Sequence, residues 1–179
     1  MKDWNVVITV HEGKFREAFN LLEPFGQVGK SEFFNVLVMK ADDIQKMMKT
    51  LLWRISEKPA ILSIVARIMP VSQTFNFHKP EEFEEKAREV VKYWIPALSG
   101  KGFHVRMHRR GFKGRLSTLK EEQFLDNYLI ESLEKRKASG HITFTEPDFI
   151  IDIETVAQRA GLSLWSKEDL EGYPFLKLD

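Results

Sequence analysis

Short apolar runs alternate with amphipathic stretches through the first 70 residues, and this order leaves the chain few possible folds. Two stretches, Lys14–Leu22 and Asp43–Ser56, repeat apolar residues at helical spacing. Asp42 is the predicted N-cap of the second helix. We predict four strands around these helices, at Trp4–Val10, Phe25–Gly29, Phe33–Met39 and Ala60–Met69. The resulting order, β-α-β-β-α-β, predicts a ferredoxin-like domain over residues 1–72.

The remainder of the chain predicts a second domain, over residues 75–179, after a connector bounded by prolines at residues 70–80. Two helices are expected, at Glu81–Leu98, where Pro96 should kink or end the helix, and at Leu119–Lys135. The expected strands are Phe103–Arg109, Ile142–Thr145, Phe149–Thr155 and Gly161–Trp165. This order predicts a mixed sheet with helices packed against it, and therefore an α/β (α+β) fold class for the whole chain.

Composition excludes several classes of protein. The absence of cysteine excludes a disulfide scaffold, a Cys-ligated zinc site and a thiol nucleophile. No stretch approaches the roughly 18 apolar residues of a membrane-spanning helix, and the N-terminus lacks the pattern of a signal peptide. We therefore expect a cytoplasmic protein with no membrane partner.

Positive charge is concentrated in one part of the sequence, the basic segment at residues 101–115. No Asp or Glu occurs between Glu89 and Glu121, whereas that window holds eight Lys or Arg residues. The whole chain has a net charge of only +1, so the rest has 19 basic against 26 acidic residues, or −7. Clustered Lys and Arg neutralise phosphates and release counterions. Nucleic acid is the partner that this distribution favours.

The basic segment combines a strand, a glycine-containing loop and a helix start. Strand alternation puts His104, Arg106 and His108 on one face. Glycines in the loop let backbone N–H groups approach an anion, and the helix start adds partial positive charge. Thr118 is expected to begin the helix, with Glu121 at the spacing of a capping box. The predicted RNA-binding residues are Arg106, His108, Arg109, Arg110, Gly111, Phe112, Lys113, Gly114 and Arg115, with Phe112 as the residue expected to meet a base.

Internal neutralisation is the alternative explanation of the same cluster. Alternation places Asp148, Asp152 and Glu154 on one face of a neighbouring strand, where they could pair with the arginines. Carboxylates of this kind could also bind Mg²⁺ or Ca²⁺. Ion pairing explains them equally well, and we predict no metal site.

The histidines of the basic segment suggest a second alternative, a small RNA-processing enzyme. His104 and His108 could act as acid and base, with Lys113 stabilising the phosphorane. Four residues along a strand, however, separate their Cα atoms by ~13 Å, which is wide for work on one phosphodiester. We therefore predict no catalytic residues.

The segment FHVRMHRRGFKGRLST, followed by a helix and then by ITFTEPDFIIDIETVAQRAGLSL, resembles a THUMP domain. The matching features are the basic strand that ends at Arg109–Gly111, the strand at Pro147–Glu154 and the strand at Gly161–Leu164. The resemblance covers residues 75–179, and a ferredoxin-like domain often precedes THUMP. It implies binding to the acceptor region of tRNA.

The resemblance also leads to an expectation about catalysis. THUMP enzymes carry a further catalytic domain, whereas this chain ends at Asp179 with no cysteine and no G-x-G-x-x-G after a strand. We therefore expect a tRNA-binding protein that is not an enzyme and uses no cofactor. By analogy with stand-alone THUMP proteins, it would present tRNA to a separate modification enzyme such as a cytidine acetyltransferase. The RNA-processing enzyme and a protein-interaction scaffold remain the alternatives.

Overall fold

The structure is a computed structural model that describes residues 1–178. The chain forms two compact units. The N-terminal unit contains Met1–Val71 together with the C-terminal segment from Leu170 onward, and the second unit contains Ser72–Asp169. The predicted boundary at residue 72 thus lies at the end of the first unit, but the predicted second domain, 75–179, includes a C-terminal segment that groups with the first.

The N-terminal unit has the ferredoxin-like topology that the sequence predicts. Its elements are β1 (Val6–Val10), α1 (Phe15–Leu22), β2 (Gly26–Lys30), β3 (Val36–Ala41), α2 (Ile44–Glu57) and β4 (Val65–Pro70). The sheet order is β2-β3-β1-β4, and every neighbouring pair is antiparallel. The N-terminal part of the fold class is therefore confirmed.

Two local details of this unit differ from the prediction. Asp43, not Asp42, caps α2, because its Oδ1 accepts a hydrogen bond of 2.9 Å from the Lys46 N–H. The predicted strand Ala60–Met69 begins instead with a 3-10 helix over Pro59–Ser63. Proline is favoured at the first position of a helix, since its φ is already helical and its missing N–H is not needed there.

The C-terminal segment completes the N-terminal unit. The backbone N–H of Ile68 donates to the carbonyl oxygen of Phe175 at 3.0 Å. Phe175, Leu176 and Leu178 are all buried. Burial of three large apolar side chains in nine residues explains why this segment packs as part of a core.

The second unit is a five-stranded mixed sheet covered by helices. Its elements are β5 (Gln73–Asn76), α3 (Pro80–Val91), α4 (Ile95–Leu98), β6 (Gly102–His108), α5 (Thr118–Lys135), β7 (His141–Ile142), β8 (Phe149–Val156) and β9 (Arg159–Ser166), and α6 (Lys167–Gly172) follows at the boundary between the units. The sheet order is β5-β9-β8-β6-β7, with β6 parallel to β7 and β8 and the other pairs antiparallel. This confirms the predicted mixed sheet.

The helix predicted over Glu81–Leu98 is divided in the structure. α3 ends at Val91, a 3-10 turn spans Lys92–Trp94, and α4 then begins at Ile95. Pro96 lies in the first turn of α4, so it starts a helix where the sequence predicted an end or a kink.

The sheet of the second unit buries one face against α3 and α5. Phe103, Val105 and Met107 of β6 are buried in this core, as their alternation predicts. α5 contributes Leu125, Leu129 and Leu133 at helical spacing. The residues of opposite parity on β6 and β8 consequently lie on the other face of the sheet.

Two carboxylates of α5 accept hydrogen bonds from backbone amides of β6, on the side of the strand that faces away from β8. β7 pairs with Gly102 and Phe103, and within residues 1–178 no strand lies beyond the later part of β6 on this side. There the N–H of Val105 donates to Asp126 Oδ1 at 2.9 Å, and the N–H of Met107 donates to Glu122 Oε1 at 2.8 Å. A helix thus satisfies strand amides that a longer β7 would otherwise bind.

Buried carboxyls on α5 make stability depend on pH. Burial raises the pKa of Asp126 to about 7, and burial together with the nearby Glu84 raises the pKa of Glu121 to about 7. The folded state holds these protons more tightly than the unfolded chain does. The two carboxyls therefore contribute fully to the free energy of unfolding below about pH 4, and this contribution is lost as the pH rises to about 7. One pKa unit corresponds to about 1.4 kcal/mol. We expect the free energy of unfolding to fall by a few kcal/mol between pH 5 and pH 8.

Thermal unfolding at several pH values measures this effect. Asp126→Asn keeps an acceptor oxygen for the Val105 N–H but removes the titration, so the pH dependence should become shallower. Glu134→Gln, at an exposed position of the same helix, is the matched control. Equal pH dependence in Asp126→Asn and the wild type would contradict the assignment.

No helix within residues 1–178 combines the length and the apolar character that crossing a bilayer requires.

Candidate nucleic-acid interface

The polar face of the second sheet brings the basic segment against two acidic residues. In the parallel pairing of β6 with β8, Arg106 is opposite Asp152 and His108 is opposite Glu154. Asp152 and Glu154 are completely buried. Burying carboxylates is costly unless they are paired, so this strand pair requires partners for both groups.

His108 and Arg110 supply such partners. His108 Nδ1 lies 3.2 Å from Asp152 Oδ1 and 3.5 Å from Glu154 Oε1. Arg110 Nη1 donates to Glu154 Oε2, and only 15% of the Arg110 side chain is exposed. Two of the predicted RNA-binding residues are therefore engaged with carboxylates inside the fold, as the alternative of internal neutralisation requires.

Asp148 does not join this cluster. Its Oδ2 accepts a hydrogen bond of 2.9 Å from the N–H of Gly102, at the beginning of β6. The sequence placed it with Asp152 and Glu154, but it precedes the first residue of β8, where strand alternation no longer fixes the direction of a side chain.

The loop after β6 is held against the turn between β8 and β9. The N–H of Arg110 donates to the carbonyl oxygen of Thr155 at 3.2 Å, and the N–H of Ala157 donates to the carbonyl oxygen of Arg110 at 2.9 Å. Gly111 has a φ of +101°, and a Cβ there would lie 3.2 Å from the Cα of Ala157. Glycine at this position therefore permits both the backbone conformation and the close approach.

Phe112 and Arg109 contribute to the structure of the loop. The Phe112 ring lies 4.8 Å from that of Phe77, centroid to centroid, and packs against the core of the second unit. The Arg115 guanidinium lies 4.3 Å from the centroid of the same ring. Arg109 Nη1 donates to the carbonyl oxygen of Gly111. The Phe112 ring, for which the sequence predicted contact with an RNA base, thus already contacts Phe77 and Arg115.

The exposed part of the predicted site lies in the cationic loop, which we define as residues 113–117 and which extends two residues beyond the predicted site, to the N-cap of α5. Lys113, Gly114 and Arg115 are exposed. Ser117 is the N-cap of α5, since its Oγ accepts from the N–H of Lys120 at 3.4 Å. Two solvent-facing cations therefore stand directly before the N-terminus of an 18-residue helix, whose dipole adds to their positive potential.

The capping box predicted for this helix is not formed. Ser117 occupies the N-cap position, so Glu121 is one residue too far along to return to the N-cap. Glu121 is instead buried and interacts with Glu84 of α3.

His104 is placed unfavourably for catalysis. Only 7% of the residue is exposed, and its Nδ1 lies 2.9 Å from the carbonyl oxygen of Thr143. The exposed Phe144 ring lies 4.8 Å from the imidazole, centroid to centroid. A histidine in this position cannot easily reach a phosphodiester, which argues against the paired-histidine mechanism.

Thr155 and Ala157 were missed by reasoning from the sequence. Both hold the loop after β6 through backbone hydrogen bonds, although they lie more than 40 residues further along the chain. The positive φ of Ala157, +53°, is the structural signature of a tight turn between β8 and β9. No residue type in the sequence marks that conformation, because the turn contains neither Gly nor Asn.

Neither a family model nor a curated protein matches the chain. Among solved structures, PH1313 from Pyrococcus horikoshii matches with a TM-score of 0.58 at 14% identity, covering 90% of this chain and 54% of that one. A 4-thiouridine synthetase, in complex with RNA and ATP, matches with a TM-score of 0.52 at 13% identity, covering 92% and 42%. The fold is THUMP-like. TrmN from Thermus thermophilus also matches this chain, with a TM-score of 0.59 at 13% identity, covering 89% of this chain and 44% of that one.

These similarities establish the fold and also limit what it implies. The chain spans about half or less of the length of each of these proteins. At identities of 13–14%, the similarity is one of architecture.

The expectation that the protein is not an enzyme is wrong. The solved structures that share its THUMP-like fold include the 4-thiouridine synthetase and SMU.472, which was solved with bound SAH at a TM-score of 0.52. Proteins that share this fold therefore include enzymes. The expectation depended on the lack of a cysteine and of a G-x-G-x-x-G motif in these 179 residues. In the larger proteins, catalytic motifs can lie in the parts that this chain does not match.

Proposed function

We propose that this chain binds tRNA, through the cationic loop and the N-terminus of α5, for modification of the RNA. The observation that carries the proposal is the exposure of Lys113 and Arg115 immediately before α5. The occurrence of this fold in a 4-thiouridine synthetase bound to RNA supports it. We further propose the acceptor region as the part of tRNA that binds, and a tRNA-modification enzyme as the partner.

The physical basis is recognition of the phosphate backbone. Lys113 supplies a point charge, and the planar guanidinium of Arg115 can donate two parallel hydrogen bonds to phosphate oxygens. The Arg115 side chain is partly ordered in advance by the Phe112 ring, which lowers the entropy lost on binding. Such contacts position an RNA without reading its sequence.

Binding of wild-type protein to two tRNA fragments tests the proposal. A minihelix of the acceptor and T arms should bind more tightly than an anticodon stem-loop lengthened to the same number of phosphates. The affinity for the minihelix should fall with salt, with a slope of about 0.9 per phosphate contacted in logarithmic units. Fluorescence anisotropy between 50 mM and 300 mM salt measures both quantities.

The two fragments also separate two ways in which the proposal could fail. Equal affinity for both would contradict the acceptor region but retain RNA binding. Absence of salt-dependent binding to either would contradict the RNA-binding function itself and favour the scaffold alternative.

A further inference from the structure

Three side chains at the end of the polar sheet face form a group with the chemistry of a metal site. His108, Asp152 and Glu154 each offer one ligand atom, and these atoms all lie within 4.8 Å of one another. The residues belong to the neighbouring strands β6 and β8, whose register places His108 opposite Glu154. Hydrogen bonding between the strands therefore fixes their spacing. Imidazole nitrogen and carboxylate oxygen atoms both serve as ligands of transition-metal ions.

Two distances in this group are close to those between ligands of one ion. Two ligand atoms at about 2.1 Å from a metal ion, at angles of roughly 90–109°, lie about 3.0–3.4 Å apart. His108 Nδ1 lies 3.2 Å from Asp152 Oδ1 and 3.5 Å from Glu154 Oε1. The imidazole nitrogen thus already lies at suitable distances from an oxygen of each carboxylate.

Asp152 carries a buried oxygen that the fold does not satisfy. Within residues 1–178, nothing donates a hydrogen bond to Asp152 Oδ2, although the residue is completely buried. An oxygen in this situation costs free energy unless a cation or a donor reaches it. Glu154 Oε2 accepts from Arg110, which is the outer hydrogen bond that orients a ligating carboxylate. The His108 side chain is 20% exposed, so an ion could reach the group from solvent at this residue.

We propose that His108, Asp152 and Glu154 bind a divalent transition-metal ion, with Zn²⁺ the best fit. Zn²⁺ accepts mixed nitrogen and oxygen ligands, whereas Mg²⁺ and Ca²⁺ favour sets of oxygen alone. A bound ion would tie the end of β6 to β8 at the position from which the chain continues into the cationic loop. This proposal does not depend on the proposed RNA-binding function.

Zinc titration of the full chain tests the proposal. Protein treated with a chelator and then dialysed is titrated with Zn²⁺ against a chromophoric competitor. We expect one saturable Zn²⁺ per chain, no displacement by millimolar Mg²⁺, and a midpoint of thermal unfolding that rises with zinc concentration. Absence of saturable binding to the wild type would overturn the proposal.

Two variants and a matched control locate the ion. His108→Ala and Asp152→Asn should each lower the zinc affinity at least tenfold. His78→Ala removes an exposed histidine whose Nδ1 lies 3.4 Å from Glu82 Oε2, so it should leave the affinity unchanged. Unchanged affinity in both site variants, or loss in His78→Ala alone, would overturn the assignment.

A measurement on the wild type keeps the proposal testable if a variant does not fold. Mn²⁺ at low stoichiometry broadens the nuclear magnetic resonance signals of nearby nuclei. Broadening should be strongest for the ring of His108 and the amides of Asp152 and Glu154. Broadening centred on His78 would contradict the proposed site.

Discussion

The double substitution Lys113→Ala/Arg115→Ala is expected to weaken tRNA binding on the order of 100-fold at low salt and to leave the fold intact. Each lost charged hydrogen bond contributes ~1.5 kcal/mol, and ~1.4 kcal/mol corresponds to a factor of ten in affinity. The logarithmic salt slope should decrease by about 2, because two phosphate contacts are lost. Both side chains are exposed, so the unfolding midpoint should change little.

The same helix provides the matched control. Lys135→Ala/Arg136→Ala removes two exposed cations from the other end of α5, ~27 Å away by helical rise. Lys135→Ala/Arg136→Ala and Lys113→Ala/Arg115→Ala each remove two positive charges, so the two variants have the same net charge. If both double variants lost affinity equally, attraction to total charge would explain binding and the cationic loop would not be the site.

Replacing Arg110 is expected to have its largest effect on stability. Arg110→Ala leaves the buried Glu154 without the guanidinium that donates to its Oε2. Breaking a buried ion pair typically costs ~3 kcal/mol or more. For a protein of this size, that loss corresponds to a decrease of roughly 6–12 °C in the unfolding midpoint.

A double-mutant cycle with Glu154→Gln measures the interaction directly. The glutamine keeps the shape of the side chain and an acceptor oxygen, so Arg110→Ala should cost less in the Glu154→Gln background. Arg115→Ala, at an exposed position of the same basic segment, is the control and should have little effect on stability. Equal costs for Arg110→Ala in both backgrounds would contradict a stabilising Arg110–Glu154 pair.

Much of the fold could be predicted because it depends on local periodicity. Alternation along β6 correctly separated Phe103, Val105 and Met107 from the polar face. The ferredoxin-like order followed from the succession of elements in the first 70 residues. In both cases the pattern of apolar residues within a short window carried the information.

Other elements depend on partners that are distant in the sequence. Gln73–Asn76 is a strand only because it pairs with β9, and its four residues have no apolar run that would predict it. The C-terminal segment packs with a unit that ended a hundred residues earlier. Tertiary contacts override local propensity in such segments.

The candidate site was predictable in composition but not in detail. Charge counting drew attention to the basic segment, but it could not distinguish Arg110, which pairs with Glu154, from Arg115, which faces solvent. Strand alternation gives the direction of a side chain only up to His108, where β6 ends. Beyond that residue, hydrogen bonds to Thr155 and Ala157 determine the path of the chain.

The carboxylates of α5 that bind the outer amides of β6 also affect how this protein can associate with others. An open strand edge is a template to which another chain can add by backbone hydrogen bonding. At Val105 and Met107 those donors are already occupied by Asp126 and Glu122 of α5. The second sheet is thereby protected on this side from edge-to-edge aggregation, without a longer β7.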